Sequence, residues 1–238
     1  MKIALIGYGK MGKEIEKVAL ERNHTIVRIF SEEKPFLEAT EIDADVAIEF
    51  TAPHLAVPHI EHCLQLNLPA VVGTTGWDTS LPRIKRATKN HNGSVLYASN
   101  FSLGVHLFFE MTKKFSRLMD PHDYQPSITE IHHTEKLDEP SGTAITTAEL
   151  IMDELKSFNK IGKDGTYIDG SGVLPVYSKR LENVPGTHEV RFSSAIDELT
   201  LTHKAHNRKG FALGAVIAAE WIQSKKGLFT MTDVLNLK

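Results

Sequence analysis

"KIALIGYGKMG", Lys2 to Gly12, is the stretch whose reading decides the fold. A short apolar run breaks into Gly7, Gly9 and Gly12 at the spacing G-x-G-x-x-G, and a helical pattern from Met11 to Arg22 takes over. Glycines at this spacing permit a tight strand-to-helix turn. They also let backbone N–H groups approach a pyrophosphate, whose charge sits at the positive helix N-terminus. The competing reading is a bare turn. A position after the first strand of an alternating strand–helix chain favours the dinucleotide.

That alternation continues outward. "TIVRIF", "ADVAIEF", "PAVVGTT" and "GSVLYAS" read as strands, with a helical stretch from Leu55 to Leu66 and another before Gly93. Strands separated by helices imply a parallel sheet with crossover connections. After "SNFSLG" the pattern changes. Val105 to Met119 reads as an amphipathic helix, with Leu107, Phe108, Met111 and Phe115 at helical spacing. "SITEIHH" alternates as a strand, Ala144 to Phe158 is helical, and the Gly-rich stretch from Gly162 to Gly172 predicts a mobile loop or a hairpin. "HEVRFSS" and "ELTLTHKA", separated by "AID", predict an antiparallel pair. "FALGAVIAAEWIQSKKG" predicts an Ala-rich helix with two lysines in its last turn and a glycine stop. The plan is a parallel α/β domain followed by an α+β domain on an antiparallel or mixed sheet.

Bulk properties exclude several classes. A chain of 238 residues with 41% hydrophobic and 24% charged residues has ordinary globular composition. The net charge of -3 and scattered Lys/Arg do not select nucleic acid or an anionic membrane as partner. The one cysteine, Cys63, allows no intrachain disulfide and reads as a buried structural thiol. The first apolar run is too short for a signal peptide, and no segment reaches the roughly 20 apolar residues of a membrane span, so the cytoplasm is expected.

Three further stretches carry chemistry. In "FSEEK", Glu32 or Glu33 stands about where an acid accepts hydrogen bonds from a ribose diol, whereas Ser31 and Lys34 suit a 2′-phosphate; both remain open. "GTTG", Gly73 to Gly76, ends a strand where ligands of open parallel sheets bind. "EIHHTEKLDEPSGTA", Glu130 to Ala144, is denser. On a strand, His132 and His133 point to opposite faces, and they lack the spacing of helical zinc motifs, so no metal is expected. Lys136 offers an ammonium for an anion or a basic nitrogen. Ser141-Gly142-Thr143 precedes a helix, so free N–H groups and two hydroxyls make a carboxylate cradle as well as a cap.

"GYGKMG", "VVGTTG", "SNFSLGV", "EIHHTEKLDEPSGTA", "HEVRF", "LTHKAHNR" and "GLFTMTDVL", in this order, resemble the 4-hydroxy-tetrahydrodipicolinate reductase (dihydrodipicolinate reductase) family of bacterial lysine and diaminopimelate biosynthesis. The resemblance spans nearly the whole chain. It implies a Rossmann domain at 1–101 plus 211–238, a substrate domain at 102–210, a homotetramer, and hydride transfer from NADH or NADPH to C4 of a cyclic imine. By the same resemblance His132 assists proton transfer and Lys136 donates to the ring nitrogen. His133, Ser141, Gly142, Thr143 and Thr75 hold the substrate. Gly7, Gly9, Lys10, Met11, Gly12, Glu32, Phe50, Thr51, Gly73, Thr74, Thr75, Ala98, Ser99, Asn100 and Phe101 contact the cofactor. The chain departs from the family at His106, where many members have Asn, and in "KRLENVPGTHEV", where only Arg180 and Gly186 keep the usual form. Another imine or amino-acid reductase, or a non-catalytic NAD(P) sensor, is the alternative. The His-His-Lys-Ser-Gly-Thr block speaks against the first, and the lack of a basic recognition helix against the second.

Overall fold

The computed structural model describes residues 1–166 and 170–237. They form two compact units, one from Met1–Leu103 with Arg208–Lys238 and one from Gly104–Asn207.

The first unit is a six-stranded sheet. Its strands are β1 (Lys2–Ile6), β2 (Thr25–Phe30), β3 (Val46–Glu49), β4 (Ala70–Val72), β5 (Ser94–Tyr97) and β11 (Gly227–Phe229). Every pair is parallel, in the order β11-β5-β4-β3-β1-β2. Helix α1 (Lys10–Glu21) and α6 (Lys209–Ile222) cover one face, packing Ile15, Val18, Ala215, Val216, Ala219 and Ile222 against Ile3, Leu5 and Ile48. On the other face α2 (Pro53–Gln65) and α3 (Leu81–Asn90) pack Ile60, Leu64 and Ile84 against Ala4, Ile6 and Val72. Residues of β1, β3 and β4 are buried on both faces, which is why they read as continuous apolar runs rather than alternating ones. Helices α1, α2 and α3 are each followed by an asparagine in the left-handed region, Asn23, Asn67 and Asn92, a common way to stop a helix. Cys63 is buried in this core, and burial pushes its thiol pKa up.

The second unit is a mixed five-stranded sheet, β10-β9-β6-β8-β7. Its strands are β6 (Gln125–His132), β7 (Lys160–Gly162), β8 (Val173–Arg180), β9 (Thr187–Ser193) and β10 (Glu198–Lys204). Strand β9 is antiparallel to both β6 and β10, whereas β8 is parallel to β6 and β7. Helices α4 (Leu103–Met119) and α5 (Gly142–Glu154) supply Phe108, Ala144, Ala148 and Ile151 to the core over Ile128, Val176, Val190 and Phe192.

Three local expectations change. The α5 helix ends at Glu154 rather than Phe158, because Leu155 leaves helical geometry at φ -99°, ψ 89° and both Leu155 and Phe158 turn into the core. The Gly-rich stretch is not a hairpin where it is described. Lys160–Gly162 runs parallel to β8, and 167–169 lie outside the described residues. Lys225 and Lys226 fall beyond the end of α6 at Ile222, where the Lys225 ammonium stands 4.4 Å from the Trp221 ring centroid. Gly227 then begins β11, which pairs with β5; this strand has no counterpart in the sequence reading. A last short helix, α7 (Met231–Val234), is held by a capping box between Thr230 and Asp233. Among the described residues no helix is long and apolar enough to cross a membrane.

Candidate active site

In the first unit the strand order reverses between β1 and β3, so their C-terminal ends open a crevice of the kind that holds nucleotides in such sheets. Gly7, at φ +95°, lies so close to β3 that a Cβ would stand 2.0 Å from the Phe50 carbonyl oxygen. A Cβ on Gly12 would stand 2.4 Å from the Gly7 carbonyl oxygen. These two glycines shape the turn. Gly9 is different: among the described residues nothing lies within 4 Å of its Cβ position, and it heads α1 with no side-chain cap. An open backbone at an uncapped helix N-terminus fits a pyrophosphate. Lys10 is exposed at the start of α1, and Met11 packs partly against the core.

The neighbouring strand ends complete this edge. A Cβ on Gly73 would meet the Phe50 ring at 2.1 Å. The Thr51 N–H donates to Thr74 Oγ1 at 2.7 Å, and Trp77 Nε1 donates to the Thr74 carbonyl at 2.7 Å. Thr75 is exposed beside them. Beneath Thr51 lies a pair absent from the sequence reading: its hydroxyl donates to buried Glu49, whose Oε1 is also 3.3 Å from His59 Nδ1. After β5, Ala98 to Phe101 form the next loop; Asn100 Oδ1 accepts from the Ser102 N–H at 2.8 Å, and Phe101 is buried 5.8 Å, centroid to centroid, from Phe50. Beyond β2, Ser31 and Lys34 bond each other's backbones at 3.1 Å in both directions, which leaves Glu32 and Glu33 at an exposed tip.

In the second unit the alternation of β6 places Ile128, Glu130 and His132 on the buried face, while His133, just past the strand, is half-buried. His132 Nδ1 sits against Glu130 Oε2, and Arg180 Nη1 donates to Glu130 Oε1 at 2.9 Å. Burial would raise the Glu130 pKa, but hydrogen bonds from His132, Ser178 and Arg180 outweigh it and hold the carboxyl at about 2. The His188 ring meets the His132 ring edge-on at 5.0 Å, and its Nε2 lies 3.2 Å from Ser141 Oγ. Burial, reinforced by His132, pushes the His188 pKa down to about 3, so this imidazole is neutral at ordinary pH. Burial likewise lowers His203, which stacks on His188 at 6.4 Å.

Lys136 and Ser141-Gly142-Thr143 follow on the same loop. The Lys136 ammonium donates to both oxygens of Asp138, at 2.7 and 2.8 Å, and holds that carboxyl below its usual range. Ser141 caps α5 by accepting from the Ala144 N–H at 3.2 Å. Gly142 is exposed, and among the described residues nothing lies within 4 Å of its Cβ position, so the first turn of the helix stands open to an anion. Thr143 is half-buried beside it. The unit thus joins His132, Lys136 and the α5 N-terminus through Glu130, Arg180 and His188.

Glu130, His188 and Asp138 are not singled out by the sequence, and Arg180 is noted there only as keeping the family's usual form, with no role at the site. Glu130 was within reach, since it stands two residues before His132 on an alternating strand and must share its face. Glu130, His132 and His188 place one potential ligand atom each within 4.8 Å of one another, a grouping the adjacent pair His132/His133 did not suggest. The Arg180 guanidinium already occupies that carboxylate as its cation.

Comparisons with known proteins agree with this layout. Family models described as "Dihydrodipicolinate reductase, N-terminus" and "Dihydrodipicolinate reductase, C-terminus" match residues 1–101 and 104–235. A 4-hydroxy-tetrahydrodipicolinate reductase of Christiangramia forsetii is 44% identical over 237 residues, covering 99% of this chain and 98% of the relative. One from Methanoregula boonei is 34% identical, over 82% of this chain and 76% of the relative. Among solved structures, dipicolinate-bound dihydrodipicolinate reductase from Paenisporosarcina sp. TG-14 superposes with a TM-score of 0.75 at 27% identity, covering 97% of each chain. An amine dehydrogenase from Mycobacterium smegmatis, at 10% identity and a TM-score of 0.55 over 98% of this chain and 95% of its own, shares the fold alone.

Proposed function

The chain belongs to the dihydrodipicolinate reductase family, and on that premise we propose that it reduces 4-hydroxy-tetrahydrodipicolinate to tetrahydrodipicolinate in diaminopimelate and lysine biosynthesis. The cofactor is NADH or NADPH, which supplies a hydride to C4 of the cyclic imine after the 4-hydroxyl leaves as water. In this reading Gly9, Lys10 and the free N–H groups of α1 hold the pyrophosphate. Glu32 takes the adenosine ribose, while Phe50, Thr51, Gly73 to Thr75 and Ala98 to Phe101 line the nicotinamide end.

His133, Gly142, Thr143 and the Ser141 hydroxyl receive the substrate carboxylates. Hydride addition to a conjugated imine builds electron density on the ring nitrogen. An ammonium aimed at that atom therefore stabilises the transition state more than the ground state. Lys136 takes this role by exchanging Asp138 for the substrate. His132 supplies or relays the proton that completes the reduction. Assembly into a homotetramer and a cytoplasmic location belong to the same proposal.

The observation that carries the reading is a set of contacts within one unit: Arg180 bridges the Lys136 carbonyl and Glu130, Glu130 sits against His132, and His188 packs edge-on against His132 and reaches Ser141 at the N-terminus of α5. It unites a proton-transfer group, an ammonium and an anion cradle. A coupled assay that condenses pyruvate with aspartate semialdehyde and follows reduced-nicotinamide absorbance tests it. Substrate-dependent oxidation of at least one nucleotide is expected; oxidation of neither above background refutes the reading. Comparing NADH with NADPH in that assay also resolves the Glu32 and Lys34 alternatives.

A further inference from the structure

Glu130 is an expensive residue to place where it stands. It is 0% exposed, and two residues earlier on the same face of β6 the chain carries Ile128, as a sheet core requires. Burying a carboxylate costs several kcal/mol before its partners compensate, and a well-packed apolar side chain is often as stable as a buried ion pair. Packing therefore does not explain the charge, but its two oxygens do. One accepts from Arg180, the other sits against the His132 ring nitrogen Nδ1, and Ser178 adds a further hydrogen bond to the carboxyl.

We propose that Glu130 is the positioning residue of His132: it accepts the Nδ1–H, fixes the ring, and leaves Nε2 as the atom that exchanges the proton. The inference deepens the proposed function and rests on its assignment of His132. Nε2 points toward Gly186, where a Cβ would approach it to 3.1 Å, so the glycine leaves that nitrogen uncrowded. Buried, neutral His188 packs edge-on against the ring without adding charge. During the reaction Nε2 takes up a proton from solvent, giving the imidazolium, and passes it to the substrate; Nδ1 keeps its own, the ring returns to the neutral Nδ1–H tautomer, and Glu130 remains a carboxylate throughout.

Arg180 extends the device to Lys136. It lies opposite His132 in the β6–β8 register. Beyond Glu130, its guanidinium donates to the carbonyls of Lys136 at 3.3 Å, Asp138 at 2.8 Å and Lys179 at 3.0 Å. One pair, a buried carboxylate and a half-buried guanidinium, thus sets both the imidazole and the backbone that carries the ammonium. A ring whose tautomer is fixed by a carboxylate on its far nitrogen follows the same physical logic as other positioned catalytic histidines.

The test combines ring-nitrogen NMR with a double-mutant cycle on the full-length enzyme. Wild type is expected to show the neutral His132 ring as the Nδ1–H tautomer; an Nε2–H tautomer overturns the proposal without any variant. Glu130→Gln is expected to lower kcat on the order of 10²-fold with NADH affinity unchanged. In a His132→Ala background the same change is expected to cost almost nothing further. An equal loss in both backgrounds means that Glu130 does not act through His132 and overturns the proposal. Wild type that shows the Nδ1–H tautomer but turns over no substrate refutes the functional reading instead, so the two failures are distinguishable.

Discussion

The Lys136 ammonium is already engaged, held by both oxygens of Asp138. Under the proposed function, a substrate bearing a basic ring nitrogen and carboxylates would compete for that ammonium, and the charge developing on nitrogen would make the exchange most favourable in the transition state. Lys136→Ala is therefore expected to lower kcat by about 10²–10⁴-fold and to leave the NADH dissociation constant unchanged, as measured by fluorescence titration. A parallel loss of NADH affinity would give Lys136 a structural role. The lysine itself was legible in the sequence because it follows a His-His pair and precedes a helix start. Its partner was not, because an i, i+2 contact in a loop depends on the path that Arg180 imposes through the Asp138 carbonyl.

The β1–α1 turn separates two uses of glycine that the motif alone does not distinguish. Gly7 is required by the fold, since it has a left-handed φ and its Cβ would overlap the Phe50 carbonyl. Gly9 has open space at its Cβ position among the described residues, so the fold itself does not demand a glycine there. Gly7→Ala is expected to cost on the order of 1–3 kcal/mol or more, seen as a fall in Tm of about 2–4 °C per kcal/mol. Gly9→Ala is expected to leave Tm unchanged while weakening NADH binding, because a methyl intrudes on the pyrophosphate. A Gly9→Ala protein that binds NADH as well as wild type would remove the cofactor from this turn. The strand-turn-helix context was readable because buried parallel strands are continuous apolar runs and helices alternate with them. β11 was missed because three residues, Gly227 to Phe229, are too few to show periodicity, and only the sheet edge at β5 makes them a strand.

Across the whole molecule, the first unit takes Arg208–Lys238 back from the far end of the chain. Helix α6 then buries Ala212, Ala215, Val216, Ala218, Ala219 and Ile222 in its core. In the second unit, residues at 130, 136, 141, 180 and 188 meet in one cluster through the register of β6, β8 and β9. The sequence showed the consecutive members of that cluster and left the distant ones unrelated, because register is a property of paired strands rather than of any one stretch. Family resemblance supplied the reaction, and the geometry places Lys136, His132 and Ser141 in the cluster on which the proposed roles rest. The central claim is hydride delivery to C4 of the heterocycle. Its most direct measurement uses NADH deuterated at the nicotinamide C4, or NADPH if that is the cofactor used, with the product examined by NMR. Deuterium at C4 of tetrahydrodipicolinate is the predicted result; nucleotide oxidation without label in that product, or label at another ring carbon, would contradict it.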